Sequence, residues 1–193
     1  MNRALPDLLR LTLADPRSAA RALMALDLPV STGWTALVLM AVLSATLGFI
    51  GLMIAPVDMD PAMQALLGSP LRTAALQCVA LALTGVLAFW VGQRFGGTGR
   101  LSQALVLVAW AQLPPLLLQL AQLAAILIAP ALAPLIGLTG FALYAVILSL
   151  FIAELHGFRS GPLVFLGLLI VGFLVALIAA FLFAAVFGVP AYV

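Results

Sequence analysis

One cluster of titratable side chains has the residue types for acid–base chemistry: Glu154, His156 and Arg159, within a single polar turn. A carboxylate near an imidazole can transfer protons, and acids at a membrane boundary sometimes do so. Hydrolytic or metal chemistry would also need a serine or cysteine nucleophile in a recognised arrangement, or a second metal ligand, and the sequence supplies neither. We therefore favour a turn at the level of the lipid headgroups, in which Glu154 pairs with an arginine such as Arg159 or Arg94.

Three glutamines and a proline pair form a second candidate site inside a long apolar stretch: Gln112, Gln119, Gln122, Pro114 and Pro115. The glutamines fall on one side of a predicted helix, and an amide in hydrocarbon needs a hydrogen-bond partner. The prolines remove two backbone N–H donors, so carbonyls one turn earlier lose their hydrogen-bond partners. The glutamine amides could donate to these carbonyls instead. Two interpretations stay open: a kinked helix that lines a solute or ion route, or a hydrogen-bonded bundle core. The lack of an acid or base in this span favours the bundle core.

The composition shows which solvent surrounds these residues. Of 193 residues, 66% are hydrophobic and only 7% are charged, whereas about a quarter of the residues of a soluble domain are charged. The chain is therefore predicted to be an all-α polytopic membrane protein. The net charge is +2, and the sequence has no extended basic patch. This argues against a nucleic-acid partner. The single cysteine, Cys78, excludes an internal disulfide and a thiolate metal cage, and we expect no metal or cofactor.

Five apolar stretches reach the roughly 20 residues that cross a bilayer as a helix. We predict transmembrane spans near residues 34–55, 72–92, 101–128, 135–153 and 163–186. The uncharged run 101–153 would form a helix of roughly 80 Å at about 1.5 Å per residue, so it must turn inside the run, and residues 129–134 contain two prolines. The loop after the first span should hold one helical turn around residues 61–67. A bundle of five spans, within a domain of residues 34–188, is the expected fold.

Residues 1–33 are predicted to form a cytoplasmic amphipathic arm of two short helices. Charged residues interrupt the segment too often for a cleaved signal peptide. Asp15 and Pro16 suit the N-cap and the first turn of the second helix. The predicted apolar sides are Leu5, Leu8, Leu9 and Leu13 in the first helix, and Ala19, Ala22, Leu23 and Leu26 in the second. We favour an interfacial arm that steadies the bundle over one that binds a partner.

The arginines predict an orientation. With the N-terminus in the cytoplasm, five spans place nearly all of them inside: Arg3, Arg10, Arg17, Arg21, Arg94, Arg100 and Arg159. Arg72 alone lies outside. Basic residues near span ends are enriched on the cytoplasmic side, so the N-terminus is predicted to be inside and the C-terminus outside.

Two short motifs resemble a known family. One is Gly96-Gly97-Thr98-Gly99-Arg100 followed by an apolar span with a central proline, Pro114; the other is Glu154-Leu155-His156-Gly157-Phe158 before the last span. Together they resemble bacterial members of the Yip1 domain family. The resemblance implies a five-helix membrane bundle with a cytoplasmic N-terminus. Eukaryotic relatives act in vesicle trafficking, and some bind Rab GTPases through a long N-terminal region, whereas here that region has only 33 residues.

A membrane protein with these features could belong to one of three classes of function. An intramembrane enzyme would need a nucleophile–base pair or a metal cage. A carrier would commonly show an inverted repeat, which five spans cannot provide as equal halves. We therefore expect a non-enzymatic scaffold or membrane-shaping protein of a bacterial inner membrane. The alternative is a small transporter or oligomeric channel component that uses the third span. The expected partners are the lipid bilayer and either other membrane proteins or further copies of the chain.

Overall fold

The computed structural model describes residues 5–187, and these form nine α-helices and one short 3₁₀ turn. In chain order the helices are α1 (Leu5–Ala14), α2 (Pro16–Met24), α3 (Val30–Ile54), α4 (Pro61–Leu67), α5 (Pro70–Arg94), α6 (Leu101–Ala111), α7 (Leu113–Ile128), α8 (Ala133–His156) and α9 (Gly161–Phe187). The 3₁₀ turn, Pro130–Leu132, joins α7 to α8. Five segments are long and apolar enough to cross a membrane, with α6 and α7 together making the third. The predicted all-α fold with five spans and a helical arm is confirmed.

The arm begins its second helix as capping rules predict. The Asp15 carboxylate accepts a hydrogen bond of 3.1 Å from the Ser18 amide, and Pro16 follows in the first turn, where its missing N–H has no partner to lose. Hydrogen bonds from the Ser18 hydroxyl and amide hold the pKa of Asp15 below its usual value. The buried side of α2 consists of Ala19, Ala20 and Leu23, whereas Leu26 is exposed. The side of α2 that packs against the bundle is therefore rotated slightly from the apolar side predicted from the sequence.

Several helices extend beyond the predicted ends of the spans. The first spanning helix begins at Val30 instead of residue 34, and the fourth continues through His156 instead of ending at residue 153. At about 1.5 Å per residue, the 25 residues of α3 measure roughly 37 Å, more than the hydrocarbon core of about 30 Å. The extra turns therefore reach the interface, where polar residues can stay helical. The short helix in the loop matches its predicted bounds, Pro61–Leu67.

Two buried clusters hold the bundle together. One joins the arm to α6 and α8, with Leu23, Leu107 and Phe151 among its members. The other joins α3, α5, α6 and α8 around Leu37 and Leu105. Helix α9 packs along α8, and no residue of its most apolar stretch is buried, so α9 is the peripheral span.

Candidate functional site

His156 is buried at the end of α8 and lies against the glycine loop that follows α5. Its Nε2 is 2.9 Å from the Ala88 carbonyl, and its Nδ1 lies 3.4 Å from the Gly99 amide nitrogen. The carbonyl can only accept and the amide can only donate, so the ring carries its proton on Nε2 and is neutral. His156 is only 3% exposed. His156 is therefore the buried last residue of α8 and not part of the polar turn predicted from the sequence.

Glycines make this histidine site possible. A Cβ added to Gly92 or Gly97 would overlap the His156 ring, and one added to Gly99 would crowd Leu155. The turn itself is completed by Gly96, whose φ of 83° lies in the left-handed region that favours glycine. On α8, Gly157 adopts a φ of 72° and ends the helix directly after the histidine. The two motifs noted in the sequence are thus two halves of one packed site.

Glu154 pairs with the arm. Its carboxylate accepts a hydrogen bond of 2.9 Å from Arg21 and lies 3.7 Å from Arg17. The prediction that Glu154 pairs with an arginine is right, but Arg159 and Arg94, the examples named, are not its partners. Arg159 offers its backbone carbonyl to Arg17 at 3.0 Å, and Arg94 stacks over the Trp90 ring. The sequence did not indicate that Arg17 and Arg21 are the partners of Glu154, because α2 lies far from α8 in the chain and the two meet only through tertiary packing.

A second contact fastens the arm, and sequence reasoning missed it. The Trp110 indole N–H on α6 donates a hydrogen bond of 2.9 Å to the Thr12 hydroxyl on α1. Thr12 in turn donates to the Leu8 carbonyl at 2.8 Å and is fully buried. A threonine on the apolar side of an amphipathic helix was the available signal. Glu154 and Trp110 therefore tie both arm helices to the bundle.

A polar layer crosses the opposite half of the bundle. The Gln119 amide bonds Ser44 on α3 twice, accepting from its hydroxyl at 3.0 Å and donating to its carbonyl at 3.1 Å. Gln77 on α5 donates to the same hydroxyl at 3.0 Å. The layer links three spans, as expected of amides that need partners in hydrocarbon. Ser44 and Gln77 were not predicted, although a polar residue in an uncharged span is itself a signal.

The proline pair lies where the third span breaks. Helix α6 ends at Ala111, Gln112 forms the break, and Pro114 and Pro115 fall in the first turn of α7, where absent backbone donors cost nothing. The idea that glutamine amides satisfy freed carbonyls is not what the structure shows, because Gln119 bonds α3 instead. All three glutamines, Gln112, Gln119 and Gln122, do line one cleft, so the predicted common side is right.

Toward the arm, the polar layer gives way to close packing. Leu105, Val108 and Leu148 are each at most 1% exposed and fill the space between α3, α6 and α8. Apolar packing therefore separates the polar layer from the arm in this part of the bundle. The arrangement can hold helices in register and can accept a polar molecule at one end.

The fold and the site define a class: a polytopic helical membrane protein with an N-terminal helical arm fastened to one end of a five-span bundle. The sequence model of the Yip1 domain matches residues 10–184, nearly the whole chain. The chain belongs to the Yip1 domain family, as the glycine loop and the His156 motif indicated. Searches among curated proteins and among solved structures find no match to it.

Proposed function

We propose that this protein is a non-enzymatic scaffold that organises or shapes the membrane around its fastened arm. The observation that carries the proposal is the pair of arm contacts, Arg21 to Glu154 and Thr12 to Trp110. They hold an amphipathic segment at a fixed place on the bundle. A rigidly placed amphipathic helix in one leaflet occupies area there and not in the other, which favours curvature.

The exposed side of the arm supports this proposal. Leu13 and Leu26 are 54% and 53% exposed, although their neighbours Thr12 and Leu23 are buried. An apolar groove of about 560 Å³ also separates the arm from α3 and α6, so the arm widens this end of the protein. Both features offer apolar surface to lipid at the membrane boundary, and the lipid bilayer is the first partner we propose.

The placement of arginines supports an orientation in a bacterial inner membrane with the N-terminus cytoplasmic. Arg17 bonds the carbonyls of Phe158 and Arg159, and Arg100 pairs with Asp27. The arm and both basic loops therefore lie at one end of the bundle, as the positive-inside rule requires of a single cytoplasmic face. The C-terminus would then be outside.

Reconstitution in anionic vesicles tests the scaffold role. The intact protein should sort to small, highly curved vesicles or narrow the membranes that contain it. The double variant Leu13→Ser, Leu26→Ser should lose at least half of this sorting, because both side chains are exposed and available to lipid. Leu120→Ser, an exposed position within the third span, is the control for general loss of apolar surface. Equal sorting by all three proteins would contradict the proposal.

The second candidate function is a small transporter or a channel built from several copies. It is favoured by the polar layer of Ser44, Gln77 and Gln119 inside the spans. Further copies or other membrane proteins would have to complete a route past the packed residues Leu105 and Leu148. Solute flux into liposomes that the triple variant Gln112→Leu, Gln119→Leu, Gln122→Leu abolishes, with its folding preserved, would favour this function over the scaffold.

A further inference from the structure

A cleft of about 200 Å³ opens between α7 and α8, with Ser44 of α3 behind it. The glutamines Gln112, Gln119 and Gln122 line one wall, and Gly137 and Gly140 leave room on the other. A Cβ on Gly137 would lie 3.0 Å from Gln122 Nε2, so the missing side chain makes space for that amide. The cleft is therefore polar on the α7 side and kept open by glycine on the α8 side.

The cleft lies in the half of the bundle away from the arm. Gln122 is about 9 Å along the helix from the end of α7 at Ile128, and Gln112 is about 24 Å from it, at about 1.5 Å per residue. Beyond Gln112, the packed residues Leu105 and Val108 close the way. The polar wall of the cleft thus runs from near one end of the bundle toward its middle, and buried apolar side chains lie beyond it.

Two buried polar atoms beside the cleft have no protein partner among the described residues. They are the Tyr144 hydroxyl and the Gln77 Oε1. Tyr144 lies one helical turn from Gly140 and close to Gln112, but the geometry completes no hydrogen bond. The Gln77 amide binds Ser44, which lines the cleft. Neither residue lines the cleft itself, but the Tyr144 hydroxyl is close to the lining residue Gln112. An unsatisfied buried hydroxyl near a polar cavity points to a hydrogen-bonding occupant that supplies the missing contact.

We propose that this cleft is a hydrated binding site for a small neutral molecule rich in amide or hydroxyl groups, entered from the membrane face opposite the arm. The polar lining side chains, which are Ser44 and the three glutamines, both donate and accept hydrogen bonds, and no lining residue is charged. A charged ligand would be desolvated there without a counter-charge, at a large energetic cost. About 200 Å³ holds roughly six waters at about 30 Å³ each, so the ligand has only a few non-hydrogen atoms. The proposal goes beyond the scaffold role and requires no passage across the membrane.

Thiol accessibility in the full-length protein tests the hydration. In a Cys78→Ala background, single cysteines replace Gln119 and its lipid-facing neighbour Leu120, which is 49% exposed at nearly the same depth. A small, uncharged, hydroxyl-bearing thiosulfonate that crosses membranes slowly should modify the Gln119→Cys protein at least tenfold faster than the Leu120→Cys protein. Leu118→Cys, in the cleft, and Leu117→Cys, at a neighbouring position that is 43% exposed and outside it, form a second matched pair that leaves the polar layer intact.

The face of entry is measured against the arm itself. A cysteine at the exposed position Ala14 reports which side of the vesicle the arm occupies. Fast modification of Gln119→Cys from the face opposite Ala14→Cys supports the cleft, whichever way the protein is oriented in the cell. Modification from the arm's own face, or equal rates within both matched pairs, would overturn the proposal and leave the scaffold role unaffected.

Ligand class is tested by protection of the same cysteines. Urea, a small neutral amide, should slow modification of Leu118→Cys, a cleft position, at least twofold at a concentration that leaves the protein folded. Guanidinium has a similar shape but carries a charge, and at equal concentration it should protect much less. Equal protection by both, or protection by neither, would refute a site selective for neutral ligands.

Discussion

The Arg21 guanidinium donates a hydrogen bond of 2.9 Å to the Glu154 carboxylate, which lies 133 positions later in the chain. Arg17 approaches the same carboxylate, so one acid at the end of α8 receives two arginines of the arm. Two residues further along α8, His156 packs into the glycine loop after α5. The end of α8 is therefore the point where the arm and the α5–α6 loop both attach to the bundle.

We expect Glu154→Gln to loosen the arm. Glu154 is 18% exposed and Arg21 is 56% exposed, so water and salt screen the pair and its loss costs at most about 1 kcal/mol. Trypsin cleavage after Arg21, and to a smaller extent after Arg17, should become faster in detergent, because both side chains lose their ionic partner while Arg17 keeps the carbonyls of Phe158 and Arg159. Arg159→Gln is the control, since the arm contact of Arg159 uses its backbone carbonyl. Unchanged cleavage in Glu154→Gln would show that the ion pairs do not hold the arm.

Gly92→Ala should destabilise the fold through His156. The added methyl group would overlap the imidazole ring, and overpacking of this kind costs about 1–3 kcal/mol. Gly172→Ala is the matched control, because nothing lies within 4 Å of its Cβ position and alanine is the better helix former. Thermal unfolding in detergent should show a lower melting temperature for Gly92→Ala and an equal or higher one for Gly172→Ala. Equal melting temperatures would contradict the packing of His156 against the loop.

Ser44→Ala and Gln119→Leu should have coupled effects. Ser44→Ala removes the hydrogen bond from its hydroxyl to Gln119, whereas Gln119→Leu removes that bond and the one to the Ser44 carbonyl. A hydrogen bond between membrane helices is worth on average about 0.6 kcal/mol. The double variant should be less destabilised than the sum of the single variants, as a double-mutant cycle in detergent would measure. Strictly additive effects would mean that the two residues do not interact.

Reporter fusions after Val193 test the proposed orientation. Five spans with a cytoplasmic N-terminus place the C-terminus outside, because each span reverses the side. A fused phosphatase that works only after export should be active, and a cytoplasmic fluorescent protein should remain dark. Fusions after Gly68, in the loop between the first and second spans, provide a second external position. The opposite pattern at both sites would invert the proposed orientation.

The sequence alone was enough to predict the local and solvent-dependent features. Span number follows from apolar length, since uncharged stretches of this kind are stable in hydrocarbon only as helices. The start of α2 at Asp15-Pro16 and the loop helix Pro61–Leu67 follow from capping chemistry within a few residues. Span ends were less accurate, as at His156, because polar residues at a helix end remain helical when tertiary contacts satisfy them.

Tertiary structure decided which residues meet. The sequence marked Glu154, His156 and Gln119 as candidates, but their partners Arg21, Gly92 and Ser44 lie on helices far away in the chain. Local patterns specify a helix and its apolar side; they do not specify which helix lies next to it or at what height. That choice depends on packing between helices. The missing Cβ at Gly92 leaves room for the buried imidazole of His156, and the Ser44 hydroxyl lies at the same depth as the Gln119 amide to which it bonds.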